Sequence, residues 1–391
     1  MTPGRGMKIL EITNVDFALY HFLHPLMRRL RDQGHEVVGA CAEGPLLAGV
    51  RADGFRVEPV AMARSFSPLA QVRALGALIR LIRRERPDMV HVHMPISGLL
   101  GRFAAWLCGV PRVAYTCHGF LFNQPGPAWR RMLALVLEWL AGRITDIYLT
   151  VSQEEARDAR RLGIHRHATA IGNGRDGKVF RPDAPTRRRV RAELGAAADD
   201  VVILAVSRLV RHKGYPELLA AMRDVPEATL WIAGERLPTD HGPDMGACLD
   251  AAGAELGPRL KRLGYRADVA DLMAAADIFV LPSHFEGLPM TVIEAMLCGL
   301  PVVGSNIRGI REQIVEGVSG FCVPAGQVAA LSAALGRLAR DASLRRRMGD
   351  AGRQRALELF LQERVIARTA ALLTRDAGEG RQGWESSPPI S

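Results

Sequence analysis

Phe279–Gly299 reads FVLPSHFEGLPMTVIEAMLCG. The apolar run from Ile278 to Leu281 stops at Pro282, as a buried parallel strand does. Pro289 to Cys298 then follows a helical period, with Pro near the first turn and Gly299 at the C-terminal cap. Glu286 therefore falls in the loop after a strand's carboxyl end, where open α/β sheets bind ligands. Glu294, eight residues later, lies on the helix that walls the same crevice. The first N–H groups of a helix lack intrahelical partners and favour an anion. Two carboxylates can accept hydrogen bonds from hydroxyls, and the amides from Gly287 and Leu288 onward can hold phosphate oxygens. That combination suits a sugar nucleotide. The competing reading is a solvated acidic loop followed by an ordinary amphipathic helix.

Two further loops follow buried strands. Ser207–Gly214, SRLVRHKG, comes after the apolar run Val201–Val206. Arg208 can grip two oxygens of a diphosphate through its fork, and Lys213 supplies a mobile point charge. Positive charge at this place would meet the charge developing on a departing diphosphate. In the first half, Thr116–Phe120, TCHGF, follows the strand from Arg112 and puts His118 at a strand's carboxyl end.

Around these loops, strands alternate with helices twice along the chain, which argues for doubly wound parallel sheets. The first series runs from Met7 to Val151 and the second from Val201 to Val323. Between them, Asn173–Ala198 is rich in Gly, Arg, Pro, Asp and Ala and reads as a linker with a short surface helix. The expected layout is a first Rossmann-like domain over 7–185 and a second over 199–355. A closing helix over 356–375 and a tail over 378–391 without a periodic apolar face complete it.

Glu286, Gly287 and Glu294 resemble the E-x7-E signature of retaining glycosyltransferases of family 4, and Arg208 with Lys213 resembles that family's R-x4-K pair. The resemblance covers roughly Met7 to Ala370. It implies the GT-B fold, an α/β architecture of two Rossmann-like domains facing a cleft, with a last helix crossing back to the first. It also implies metal-independent, front-face transfer from a nucleoside-diphosphate sugar, with UDP the expected nucleotide. On this resemblance Glu286 and Leu288 belong to the donor site, Glu294 holds the ribose, Arg208 and Lys213 stabilise the diphosphate, and His118 lines the sugar pocket. One departure concerns the loop after the first strand. Many members carry a glycine pair there, but Thr13–Phe22 contains no glycine. Its Tyr-His-Phe run resembles members that extend lipid-linked oligosaccharides, which makes Asn14, Asp16, Tyr20 and His21 candidates for the acceptor side.

Charge and composition limit the alternatives. Net charge is +10, with 51 Lys and Arg against 41 Asp and Glu. This favours anionic ligands or an anionic membrane surface. No interleaved aromatic platform marks a nucleic-acid binder. Neither D-x-D nor H-E-x-x-H spacing occurs, so neither a metal site nor a cofactor is expected. The six cysteines lack C-x-x-C spacing and read as free thiols. No signal peptide is expected, and free thiols suit a reducing compartment, so a cytoplasmic protein is expected; the resemblance, with the basic first domain, implies a place at the cytoplasmic face of the inner membrane. Arg73–Arg86 is a basic amphipathic helix with Leu75, Leu78, Ile79 and Ile82 on its apolar face, and Ala128–Arg143 adds Trp129 and Trp139. Such helices either pack on the sheet or dock on anionic lipid; packing is the preferred reading of the apolar face. The resemblance implies as acceptor a glycan or a polyprenyl-linked sugar of a bacterial surface polysaccharide. The alternatives kept open are a sugar-nucleotide epimerase of the same fold and a noncatalytic basic binding protein.

Overall fold

The structure is a computed structural model that describes residues 6–62, 68–124, 126–236, 240 and 244–375. The tail expected over 378–391 lies outside the described residues. The chain forms two compact units: one takes the chain up to Gly172 and again from Val365, the other runs from Asn173 to Arg364.

The first unit is built on β1 (Lys8–Ile12), β2 (Glu36–Cys41), β3 (Arg56–Pro59), β4 (Met89–His93), β5 (Arg112–Cys117), β6 (Ile147–Thr150) and β7 (Thr169–Ala170). All pairings are parallel, in the order β3-β2-β1-β4-β5-β6-β7. Both faces of the sheet are covered, so most of these strands read as continuous apolar runs. The strand order reverses between β1 and β4, which places the crevice at their carboxyl ends.

The second unit contains β8 (Val201–Val206), β9 (Ala228–Ala233), β10 (Leu260–Gly264), β11 (Ile278–Leu281), β12 (Val302–Ser305) and β13 (Gly320–Val323). They too are all parallel, in the order β10-β9-β8-β11-β12-β13, and the reversal lies between β8 and β11. The loops carrying Arg208, Lys213 and Glu286 therefore leave the two strands that flank this unit's switch point.

Two expectations change. The segment after Asn173 is no loose linker. Asp183 caps the helix Ala184–Glu193 through the amide of Thr186 at 3.0 Å. From that helix Arg187 and Arg191 bond the carbonyl of Ala275 and the carboxylate of Asp277. Those bonds make the segment part of the second unit, so the divide falls at 172/173 instead of 185/199. At the other end, the helix Ala342–Leu359 stays with the second unit. Only the helix Gln362–Thr374 returns, burying Ala370 and Leu373 in one core with Ile9, Leu19 and Met27 of the first.

The helix after β1 opens at Asp16 and passes through a π-helical stretch, Leu19–Leu23, before His24–Asp32. Pro25 has no N–H to carry the regular ladder back into that stretch, and the amide of His24 reaches Leu19 O instead.

The helix Pro68–Glu85 packs as preferred: Leu78 and Ile82 are buried in the first unit's core, with Leu75 and Ile79 against it. The helix Ala128–Gly142 packs Ala134 and Leu135 against the same core but turns its larger apolar side chains away. Trp129 (63% exposed), Met132, Leu133, Val136, Trp139 and Leu140 face outward, while Glu138 is buried.

Candidate active site

In the second unit the switch-point loops bring three predicted residues together. The Lys213 ammonium donates to Glu286 Oε1 at 2.7 Å, and Ser283 Oγ donates to the same oxygen at 2.6 Å. Both charged side chains are largely buried, at 15% and 10% exposure, so the pair is desolvated on most sides. Close backbone contact sets this geometry. Gly214, at φ +78°, ends the short 3₁₀ turn that carries Lys213, and a Cβ there would stand 2.0 Å from Pro282 O. The loop after β8 thereby lies directly on the loop after β11, and the amide of His284 donates to His212 O at 2.8 Å. Gly309, at φ +80°, plays the same part on the far side: its Cβ would stand 1.8 Å from Gly287 O.

Arg208 is half-exposed and pairs with Asp240, a partner the sequence did not reveal. Leu288 is buried, so only its backbone can meet a ligand; its carbonyl accepts from Asn173 Nδ2 at 2.7 Å. The helix after it, Met290–Leu297, has no side-chain cap, so its first-turn amides are not taken up by a capping residue. Glu294 is buried one turn into this helix and accepts from Arg175 Nε at 2.6 Å. Burial pushes the Glu294 carboxyl above its usual range, against the pull of the Arg175 charge. Asn173, Arg175, Ser283 and Asp240 are thus additions to the expected site. Asn173 and Arg175 sit in the stretch read as linker, between two glycines, where no local signal separates them from other polar loop residues.

In the first unit His118 follows β5, on the same sheet face as His93 and Thr116, which are register partners. Its Nε2 lies 3.4 Å from His93 Nδ1, and the Phe22 ring stacks on it at 6.4 Å. Burial, then the charges of His93 and His91, hold the His118 imidazole far below its usual pKa, at about 3, so it is neutral.

The four acceptor-side candidates separate. Asn14 is buried after β1, and its Oδ1 has no hydrogen-bond partner. Asp16 is engaged structurally, accepting from the amides of Phe17 and Leu46. Tyr20 lies between Gly49 and His24 at the edge of the core. His21 stands against the rings of Phe17 and Tyr20.

A cluster the sequence reading missed lies just behind His118. Glu11, His91 and His93 are buried, and their ligand-type atoms lie within 4.8 Å of one another. This qualifies the expectation that no metal site would be built. The expectation rested on local spacing, whereas Glu11 reaches the His pair across 80 residues through the β1–β4 register.

Two family models match the chain. "Glycosyl transferases group 1" matches residues 186–355, and "Glycosyl transferase 4-like domain" matches 21–174. The chain is 29% identical over 296 residues to the UDP-Gal:alpha-D-GlcNAc-diphosphoundecaprenol alpha-1,3-galactosyltransferase of Escherichia coli, covering 72% of this chain and 73% of that protein. It is 25% identical over 377 residues to the N,N'-diacetylbacillosaminyl-diphospho-undecaprenol alpha-1,3-N-acetylgalactosaminyltransferase of Campylobacter jejuni, covering 92% and 96%. Among solved structures, Anabaena Alr3699/HepE in complex with UDP and glucose shares the fold. Its TM-score is 0.81 at 24% identity, covering 95% of this chain and all of that one. Neither the epimerase nor the binding-protein alternative gains support from these likenesses. This chain belongs to glycosyltransferase family 4, and its two parallel-sheet units are those of the GT-B fold.

Proposed function

We propose that this protein is a retaining glycosyltransferase. It moves a hexose or N-acetylhexosamine from a UDP-sugar to a polyprenyl-linked or glycan acceptor in bacterial surface-polysaccharide synthesis. The observation that carries this reading is the Lys213–Glu286–Ser283 cluster at the β8/β11 switch point, with Arg208 on the same loop as Lys213. Two relatives are named for transfer to diphosphoundecaprenol-linked sugars, and the HepE structure holds UDP and glucose.

The bond between the anomeric carbon and the diphosphate oxygen breaks as the acceptor oxygen bonds the same face of that carbon. The acceptor's proton passes to the departing diphosphate, so no protein nucleophile is required. Lys213 and Arg208 meet the charge that develops on the diphosphate and take the place of a metal ion. Glu286 and the amides from Gly287 and Leu288 orient sugar and phosphate. Glu294 offers its second oxygen to the ribose hydroxyls while Arg175 holds the first. His118 lines the sugar pocket, and Asn14 serves the acceptor side.

Calorimetric titration of UDP, GDP and ADP tests the donor assignment. UDP should bind best, and Glu294→Ala should weaken it by at least 10-fold, about 1.4 kcal/mol. Preference for GDP or ADP would overturn the nucleotide, and no binding by the folded protein would overturn the enzyme reading. Transfer that survives EDTA is the outcome expected of a metal-independent enzyme.

Among the described residues no helix is long and apolar enough to cross a membrane. The outward stripe of Ala128–Gly142, flanked by Arg130, Arg131 and Arg143, has the composition of a helix that lies on anionic lipid. The protein should co-sediment with phosphatidylglycerol vesicles at low salt and lose most of that binding in Trp129→Ser/Met132→Ser. Full binding by the variant would remove this helix from the membrane assignment.

A further inference from the structure

We propose that Glu11 and His93 are positioning residues for His118: they fix its ring tautomer, so that Nε2 carries the proton and Nδ1 is presented as a hydrogen-bond acceptor. This rests on the reading that His118 lines the sugar pocket.

The argument begins with strand register. Glu11 and His91 are register partners on β1 and β4, as are His93 and Thr116 on β4 and β5. Since side chains alternate along a strand, Glu11, His91, His93, Thr116 and His118 all project from one face. They converge toward the carboxyl ends of β1, β4 and β5, beside the switch point. His91 Nδ1 lies 3.0 Å and His93 Nε2 2.9 Å from the Glu11 carboxylate. Thr116 Oγ1 lies 2.9 Å from His91 Nε2.

A fully buried carboxylate costs several kcal/mol unless donors surround it. Burial alone would raise the Glu11 pKa, but the charge and hydrogen bonds of His91 and His93 outweigh it and hold the carboxyl at about 2. An anionic Glu11 can only accept, so the proton of His93 sits on Nε2. Burial, then the charge of His91, keeps His93 neutral, with a pKa of about 4. Its Nδ1 is then a lone pair, and the atom facing it is Nε2 of His118. An N–H must stand between two nitrogens that pair, so the proton belongs to His118 Nε2. Nδ1 of His118 is left free to accept a substrate hydroxyl.

Two independent observations point to this edge as a prepared site. Met94, directly after His93, holds φ +64°, an unusual value for a residue with a side chain. Around it Ser97 Oγ donates to His93 O at 2.5 Å and the Gly98 amide donates to Met94 O at 2.8 Å, so strain is retained where His93 is pinned. Beside Glu11 in sequence, Thr13 Oγ1 and Asn14 Oδ1 are buried without a hydrogen-bond partner. Unpaired buried polar atoms are few in native proteins, and two of those among the described residues are neighbours at this strand end, where this fold faces its ligand.

The obvious rival is a metal ion bound by Glu11, His91 and His93. The carboxylate already accepts from both imidazoles, and all three side chains are buried, with His93 the most exposed at 3%. Direct hydrogen bonds therefore account for the cluster as it stands.

The test uses the full chain. Long-range proton–nitrogen spectra of the imidazoles should show His93 and His118 neutral at pH 7, each with its proton on Nε2. A proton on Nδ1 of His93 overturns the proposal whatever the activity. So does a stoichiometric divalent ion, measured on the purified protein, that is lost in Glu11→Gln. In a double-mutant cycle, Glu11→Gln should lower kcat by roughly 10-fold with the donor KM little changed, as loss of a partner behind a working side chain does. In a His118→Gln background the same change should cost less than 2-fold, because Glu11 acts only through His118. A full 10-fold cost in that background overturns the proposal. If His118→Gln itself leaves transfer unchanged, the sugar-pocket reading fails instead, and the spectra still decide the tautomer.

Discussion

Lys213→Ala should lower the turnover of sugar transfer by about 10²–10³-fold, the range seen when one preorganised group is removed from a developing negative charge. In the structure Lys213 is already committed: its ammonium donates to Glu286 Oε1 at 2.7 Å, and Ser283 shares that oxygen. On the proposed function, the donor's diphosphate draws part of the lysine's interaction away from Glu286, and the freed carboxylate becomes available to the sugar hydroxyls. One ion pair thus links charge neutralisation to sugar recognition. The variant also leaves Glu286 largely buried beside no cation, which should cost about 1–3 kcal/mol of stability. The two effects can be separated. Lys213→Ala/Glu286→Gln removes the unpaired charge and should regain most of the lost stability, measured by thermal unfolding, while turnover stays low. Turnover of Lys213→Ala within 3-fold of wild type at saturating donor would remove Lys213 from the chemistry.

Much of this site was legible because it is local. The strand before Pro282, the loop at Glu286 and the helix through Glu294 follow from a period that changes within 20 residues. The parallel sheets were legible for the same reason: two-sided burial leaves apolar runs that only short strands explain. What was missed depends on contacts between distant residues. Arg175 meets Glu294 across 119 residues and Asn173 meets Leu288 across 115. A Gly-rich stretch that folds against a distant helix has the composition of a linker, since both need chain without a periodic apolar face.

The Glu11 cluster lies between these cases. His-x-His in β4 and Thr-x-His at the end of β5 each put polar groups on one face of a buried strand, an expensive arrangement without partners. That expense is a readable signal; which partner relieves it depends on strand order. The helix Ala128–Gly142 misled for a different reason. Its run MLALVLEWLAG contains a single charged residue, and hydrophobicity alone assigned the apolar side to the sheet. The structure turns Glu138 inward, because a buried arginine waits there.

That arginine carries the largest stability prediction. Arg102 is fully buried on the helix Pro95–Leu107 and grips Glu138 through two bonds of 2.8 and 3.0 Å. Its Nε donates to Gly98 O at 2.9 Å, and its guanidinium lies 3.8 Å over the Tyr115 ring. The Tyr148 hydroxyl donates to Glu138 Oε1 at 2.6 Å. Arg102→Met should cost about 3–5 kcal/mol, because the remaining carboxylate would be a buried charge without a cation. Adding Glu138→Leu removes that charge and should recover most of the loss. It leaves the Tyr148 hydroxyl without an acceptor, a residual cost of about 1–3 kcal/mol that Tyr148→Phe should remove. Denaturant unfolding should therefore rank the single variant far below the double, and the double below the triple. If the single and triple variants were equally stable, the pair would not anchor the helix. The ranking also bears on the membrane reading. A helix with its charge inside and its tryptophans outside is held by the Arg102 pair, not by the apolar stripe. The triple variant should then bind anionic vesicles as the wild type does, because the proposed docking stripe of Trp129, Met132, Val136 and Leu140 lies outside the core.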